Sequence, residues 1–373
     1  MFSSRLAWET QPNSLSKALA AHHGPILDLT QSNPTHAGIV YPADVLQAFT
    51  DPRAMEYDPD PRGLAYARDL LAERYKVDPQ RIIITASTSE AYAWLFKLLC
   101  NPGDEVLVPR PSYPLFDFLA ALESVSIKQY PLRYHEGWWI DLDELERAIT
   151  PRTRAVLLVN PNNPTGSYIK QQEMDRLNNI AATHNLALIS DEVFSGYHLL
   201  DDPAALHTLL TNESALTFCL NGLSKLIGLP QMKLGWLIAG GPQSKEALNK
   251  LEFIADTYLS VGTPVQYALP RLLALEQEIQ QQIRSRAAVN LAVLQQSGLS
   301  VLRVEGGWYA TIVAPRARSE EKWTLHLLNK QDVLVQPGHF YDFETEAFLV
   351  VSLLTAPGAF QEGTRRIARE FTA

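Results

Sequence analysis

Three short runs set out reactive groups in a fixed order: Asn160-Pro161-Asn162-Asn163-Pro164-Thr165-Gly166, then Ser190-Asp191-Glu192-Val193-Phe194, then Ser224-Lys225. They bring an amide, a carboxylate and an amine to successive strand ends. A lysine amine condenses with an aldehyde at neutral pH once desolvation or neighbouring charge lowers its pKa, and Lys225 is the candidate. A carboxylate just past a buried strand, as Asp191 is after Leu188-Ile189-Ser190, can keep a ring nitrogen protonated and so make that ring an electron sink. Asn163 can hydrogen-bond a ring oxygen. Each group alone has a plainer reading: a solvent-facing turn for Asn221 to Lys225, a cap for Asp191, an Asx-turn for Asn163. Together they suit a pyridine aldehyde.

A cofactor of that kind, pyridoxal 5'-phosphate, also needs backbone N–H groups at a helix N-terminus and a cation for its phosphate. Thr88 and Ser89, opening a helix after Ile82-Ile83-Ile84-Thr85, supply the first, and Lys233 the second. Tyr113, in Pro111-Ser112-Tyr113-Pro114, can stack on the pyridine ring. A cap, a surface charge and a core aromatic are the corresponding structural explanations.

From about residue 80 to 240, short apolar runs alternate with amphipathic stretches. Ile82 to Ile84 precedes Ser89 to Leu99, Val106 to Val108 precedes Tyr113 to Leu122, and Ala155 to Val159 precedes Lys170 to His184. Leu186 to Ile189, Leu216 to Leu220 and Leu234 to Ile238 continue the series. This pattern predicts an α/β fold with a mostly parallel central sheet flanked by helices, whose ligands bind at the carboxyl ends of strands. Beyond residue 240 the spacing turns helical over Ser244 to Ala255, Pro264 to Leu275 and Glu276 to Gln296. Strand-like runs at Val301 to Val304, Trp308 to Val313, Val333 to Val335 and Phe348 to Leu354 then predict a smaller α+β domain. The expected division is a large domain over 46–269 and a small one over 1–45 and 270–373.

At 373 residues and 46% hydrophobic, the chain can bury a deep site. A net charge of -9 without a basic stripe argues against nucleic acid as partner. Cys100 and Cys219 sit in apolar segments, as buried thiols rather than a disulfide or metal site. No run is apolar enough for a signal peptide or a membrane span, which predicts a cytoplasmic protein with no membrane partner.

The chain resembles the class I/II aminotransferases of the fold-type I pyridoxal-phosphate-dependent enzymes. The likeness is carried by Tyr57 to Gly63, Thr85 to Ala91, Pro102 to Val106, Pro111 to Phe116, Asn160 to Gly166, Asp191 to Val193, Ser224-Lys225 with Gly235-Trp236, and Pro337-Gly338. It implies Lys225 as the cofactor-linked amine and proton shuttle, Asp191 on the pyridine nitrogen, Asn163 on the ring oxygen and Tyr113 stacked on the ring. Thr88, Ser89 and Ser224 would lie at the cofactor, with Lys233 on its phosphate. The resemblance further implies a homodimer with shared active sites, in which Tyr57 reaches the neighbour's phosphate, and ping-pong transfer between a small-molecule amino donor and a keto acceptor.

Four positions depart from the family pattern. Val350, in Phe348-Leu349-Val350-Val351-Ser352, stands where an arginine usually forks onto the substrate α-carboxylate, and no arginine occurs between Arg318 and Arg365. Phe194 replaces a tyrosine, Lys233 an arginine and Gly222 a serine. Non-standard carboxylate recognition is therefore expected. His36, Trp308, Tyr309 and His339 are the candidate substrate-side groups. A pyridoxal-phosphate lyase or decarboxylase of the same fold is the alternative enzyme. A non-enzymatic descendant is a third reading, opposed by the joint presence of Lys225, Asp191 and Asn163.

Overall fold

The computed structural model describes residues 2–6, 8 and 11–372. In chain order the strands are β1 (Leu27–Asp28), β2 (Ile82–Thr85), β3 (Glu105–Arg110), β4 (Ser126–Tyr134), β5 (Trp138–Ile140), β6 (Thr153–Val159) and β7 (Ala187–Asp191). β8 (Thr217–Gly222), β9 (Gly235–Gly240), β10 (Ser300–Val301), β11 (Tyr309–Val313), β12 (Val333–Leu334), β13 (Gln336–Pro337) and β14 (Phe348–Ser352) follow. The helices are α1 (Ser14–Ala21), α2 (Ala65–Tyr75), α3 (Thr88–Leu99), α4 (Phe116–Leu122), α5 (Leu142–Arg147) and α6 (Gln171–His184). After them come α7 (Leu223–Leu226), α8 (Ser244–Tyr258), α9 (Thr263–Leu273), α10 (Glu276–Gln296), α11 (Glu320–Gln331) and α12 (Pro357–Thr372).

Eight strands form the central sheet in the order β2-β9-β8-β7-β6-β3-β4-β5. The run β8-β7-β6-β3-β4 is parallel throughout. The apolar runs of these strands arise because both faces are covered. Ile83, Val106, Leu157, Ile189 and Phe218 meet α3 and α8 residues such as Leu95 and Leu251 on one side. Leu107, Val156, Leu158 and Leu188 meet α6 residues Leu177 and Ile180 on the other.

Three details refine the sequence expectation of a mostly parallel sheet with Thr88 and Ser89 opening a helix. β9 runs antiparallel to both neighbours, β8 and β2, and is joined to β8 through the link that holds α7. β4 and β5 were not anticipated. Their burial alternates or breaks along Ser126–Tyr134, so no continuous apolar run marks them. Ser87, not Thr88, caps α3: its side chain accepts from the Glu90 N–H at 3.2 Å, which puts Thr88 and Ser89 in the first turn.

A second sheet, β10-β11-β14-β13, is antiparallel, and β1 pairs with β12 beside it. Its core joins Leu29, Ala37 and Ile39 to Ile279, Ile283, Ala310, Leu349, Val351 and Phe360. The core under β2 and β9 instead takes Ala48, Leu269 and Leu272. Ile39 and Ala48 thus belong to different cores, as do Leu272 and Ile279, while Phe194 and Tyr197 also join the core of the second sheet.

Candidate active site

The carboxyl ends of β6, β7 and β8 open into a cavity of about 350 Å³. Among its lining residues are Thr88, Ser89, Tyr113, Asn163, Asp191, Ser224, Lys225 and Lys233, eight of the nine residues assigned to the cofactor from sequence. Tyr57, the ninth, is 82% exposed and borders a separate groove with Leu259 and Thr263.

Asp191 ends β7. Its Oδ2 accepts the Tyr92 hydroxyl at 2.8 Å and its Oδ1 the Val193 N–H at 3.1 Å. Burial pushes its carboxyl above the ordinary range, and these two donors together with the nearby Lys225 charge pull it back. Lys225 lies in α7, a single helical turn rather than the open loop its neighbours suggested. Burial lowers its amine pKa, and Asp191 opposes that shift. Its Nζ is 5.1 Å from the Trp308 ring centre and 5.8 Å from that of Phe194.

The turn that presents Lys225 is fixed by close backbone approach. Gly222 pairs with Gly235 across β8 and β9, and a Cβ at 222 would come within 3.0 Å of both Gly235 Cα and Leu234 O. The serine expected there has no room without movement of β9. Asn221 donates to the Glu192 carbonyl at 2.9 Å, tying the end of β8 to the end of β7. Tyr197 donates to the Lys225 carbonyl, and Gln280 of α10 to that of Leu226 at 3.2 Å.

Asn163 belongs to a loop shaped by Asn162, whose Oδ1 accepts the Thr165 hydroxyl at 3.0 Å. Gly166 has φ +72°, and a Cβ there would stand 2.5 Å from Gly306 O, so glycine is required. The Oδ1 of Asn163 is buried with no hydrogen-bond partner. Lys233 holds the left-handed conformation, φ 51°, uncommon for a lysine. Tyr113 is 44% exposed and stands edge-on to Phe116, their ring centres 6.3 Å apart.

Ser32, from the N-terminal segment, and Tyr309, from β11, also line the cavity. Ser352, opposite Tyr309 in the β11–β14 register, donates through Oγ to the Gln31 carbonyl at 2.6 Å and so holds the Ser32 segment. Thr311 and Val350 are the next facing pair on the same face, both buried. Trp308 is fully buried beside Lys225 without lining the cavity, and His36 and His339 do not line it either. His339 is half exposed, with Nδ1 3.4 Å from Glu320. Ser32, Ser87, Phe116, Val159, Val193 and Pro230 complete the lining beyond the sequence-derived set. For Ser87 the signal was present as a Ser-x-x-Glu cap motif ending at Glu90.

The profile of the aminotransferase class I and II family matches residues 25–357. The chain is 30% identical over 363 residues to the glutamate-pyruvate aminotransferase AlaA of Escherichia coli K12, covering 91% of this chain and 88% of that protein. It is 28% identical to the arginine–pyruvate transaminase AruH of Pseudomonas aeruginosa, covering 88% and 86%. A crystal structure of an aminotransferase from Escherichia coli superposes with a TM-score of 0.87 at 26% identity, over 100% of this chain and 98% of that one. Alanine aminotransferase from Pyrococcus furiosus has the same fold, with a TM-score of 0.87 at 24% identity over the whole of both chains. With an amine, a carboxylate and an amide converging on one cavity, and a match spanning nearly its whole length, the chain belongs to the class I and II aminotransferases.

Proposed function

We propose that this aminotransferase binds pyridoxal 5'-phosphate in the cavity at the ends of β6, β7 and β8 and moves an amino group between a donor and a keto acceptor. The observation that carries the reading is the convergence of eight sequence-derived residues on that one cavity. The donor set fits the cofactor. Asn163 brings a buried side-chain amide whose NH2 can donate to a ring oxygen, Lys225 has its amine pKa lowered by burial, and Lys233 lines the same cavity as Thr88 and Ser89 of the first turn of α3. When bound, pyridoxal phosphate supplies an aldehyde that takes up the amino group and a ring that accepts the electron pair released at the substrate carbon.

In this reading Lys225 Nζ holds the cofactor and carries the proton between substrate and cofactor carbons, and burial shifts its amine toward the neutral form able to accept one. Asp191 faces the pyridine nitrogen, Asn163 binds the ring oxygen and Tyr113 covers the ring. Thr88, Ser89, Ser224 and Lys233 hold the phosphate. The division into a large domain over 46–269 and a small one over 1–45 and 270–373 puts Ser32 and Tyr309 on the small-domain side of the cleft.

A substrate carboxylate in this cleft meets the hydroxyls of Ser32 and Tyr309 rather than a guanidinium, because Val350 is short and apolar. Recognition by neutral donors sacrifices a charge-assisted fork. We further assign the protein to a homodimer, in which Tyr57 enters the partner's site. Large apolar side chains left open at Met55 and Tyr57, 90% and 82% exposed, support that assembly.

The test is the absorbance of the protein loaded with pyridoxal phosphate, before and after adding amino acids and amines one at a time with no acceptor present. Stoichiometric conversion of the aldehyde form to the aminated form is expected for the donor. A persistent aldehyde form while pyruvate, ammonia or carbon dioxide accumulates would sink the transfer reading.

A further inference from the structure

Tyr92 lies on α3, three residues after Ser89 and four after Thr88, so all three sit on neighbouring turns of one helix. Two of them reach the cavity. The third turns its hydroxyl to Asp191, at the far side of the site, with 2.8 Å between the phenol oxygen and Oδ2. The ring is buried, edge-on to Phe116 with centres 5.5 Å apart and tilted against Phe96 at 6.2 Å. That packing leaves the phenol little room to swing away.

We propose that Tyr92 is a positioning residue of the aminotransferase site, holding the Asp191 carboxylate ionised and in one orientation for the cofactor's ring nitrogen. The proposal rests on the reading of Asp191 as the group facing that nitrogen. Each carboxylate oxygen has one donor, Tyr92 from α3 on Oδ2 and the Val193 N–H on Oδ1. A carboxylate accepts about four hydrogen bonds, so capacity remains for a ring N–H. Without the Tyr92 hydroxyl, one oxygen of a buried carboxylate loses its partner, and burial then favours the neutral acid. A neutral Asp191 no longer balances a protonated ring nitrogen. The phenol is a dependable donor, since burial and the Asp191 charge keep its own pKa well above the ordinary value. Because the same helix brings Thr88 and Ser89 to the phosphate end, α3 fixes the spacing between the two ends of the cofactor site.

Two measurements on Tyr92→Phe test this, one without cofactor. In the cofactor-free protein, the Asp191 carboxylate followed by carbon-13 NMR is expected to titrate at higher pH in the variant. Lys225 from α7 and Tyr113 from the loop after β3 also bear on Asp191, and both stay in place. With cofactor, the dissociation constant for pyridoxal phosphate is expected to rise by about tenfold to a hundredfold, the range for losing a hydrogen bond to an ionised group. In an Asp191→Asn background the same change should have almost no effect, because Tyr92 acts through Asp191. An unmoved titration, or effects of the two substitutions that simply add, would overturn the proposal. If Asp191→Asn alone binds pyridoxal phosphate as tightly as the native protein, the reading of Asp191 itself fails, and the assignment of Tyr92 to the cofactor falls with it. Should Tyr92→Phe not fold, 3-fluorotyrosine at position 92 keeps the ring and strengthens the donor. It must then move the Asp191 titration to lower pH, and no movement overturns the proposal.

Discussion

The wall of the cavity built on the central sheet carries Asp191, Lys225 and Lys233 with the Asn163 amide, whereas the wall built on the small sheet and the N-terminal segment offers Ser32 and Tyr309. Thr311 and Val350 continue the second wall's face, likewise uncharged. On the first wall burial works against ionisation, raising the Asp191 pKa and lowering that of Lys225. The buried Asp191 carboxylate is held there by the Tyr92 hydroxyl and the Val193 N–H, which satisfy one oxygen each. The second wall has no such debt. The difference separates ionisable groups, rooted at strand ends of the central sheet, from an uncharged face carried by the small sheet and the N-terminal segment.

Four substitutions sharpen or break that contrast. Lys225→Met should lower turnover by about 10⁴-fold or more, the upper range for a positioned proton-transfer group. Product formed per site over hours checks this, and a loss under tenfold would mean that the charged wall is not where reaction occurs. Val350→Arg should raise kcat/KM for α-amino acids by roughly tenfold to a hundredfold through a new charge-assisted fork. Because Val350 is fully buried, the larger side chain should also cost about 1–3 kcal/mol of stability, seen as a lower Tm. Unchanged kcat/KM in a folded variant would remove substrate selection from the neutral wall.

A smaller effect is expected at the phosphate end. Lys233→Ala should weaken pyridoxal phosphate about tenfold in an absorbance titration, and Lys233→Arg should restore or improve binding. Equal affinity in all three proteins would take the cation out of the site.

The smallest effect is on the cofactor-free protein. The folded pKa of Lys225 is below its unfolded value, so stability tied to its neutral form is present at high pH and is lost as pH falls through the folded value. Lys225→Met has no such loss. It should therefore melt above the native protein at pH 7, with the gap closing as pH approaches the unfolded lysine pKa near 10.4. A gap independent of pH would mean that Lys225 titrates as it does in the unfolded chain.

Much of the charged wall was readable in the chain because its residues follow the strands directly. Asn163 lies just after the end of β6, Asp191 ends β7 and Lys225 follows β8 by one turn. The long helices were readable for a related reason: α10 spans the Glu276 to Gln296 predicted from its apolar spacing. Strands without a clean period escaped notice. β4 mixes exposed and buried positions along its length, and the direction of β9 shows only in its pairing with β8 and β2. The second wall was legible only in part. Tyr309 lines the cleft, but His36 and His339, equally plausible by composition, do not. His36 lies in a turn and His339 in a single 3-10 turn, and where such segments point depends on how they pack rather than on composition.

By itself, then, the sequence determined which chemical groups stand at the ends of which central strands, since a buried strand forces its neighbours to the sheet edge and that follows from local pattern. Tertiary structure alone decided that Tyr92 meets Asp191 across 99 positions of chain, that the Gly222 and Gly235 backbones touch, and that Val350 shares a face with Tyr309. Those relations depend on strand order, register and helix rotation, which are set by how whole elements pack rather than by any one segment.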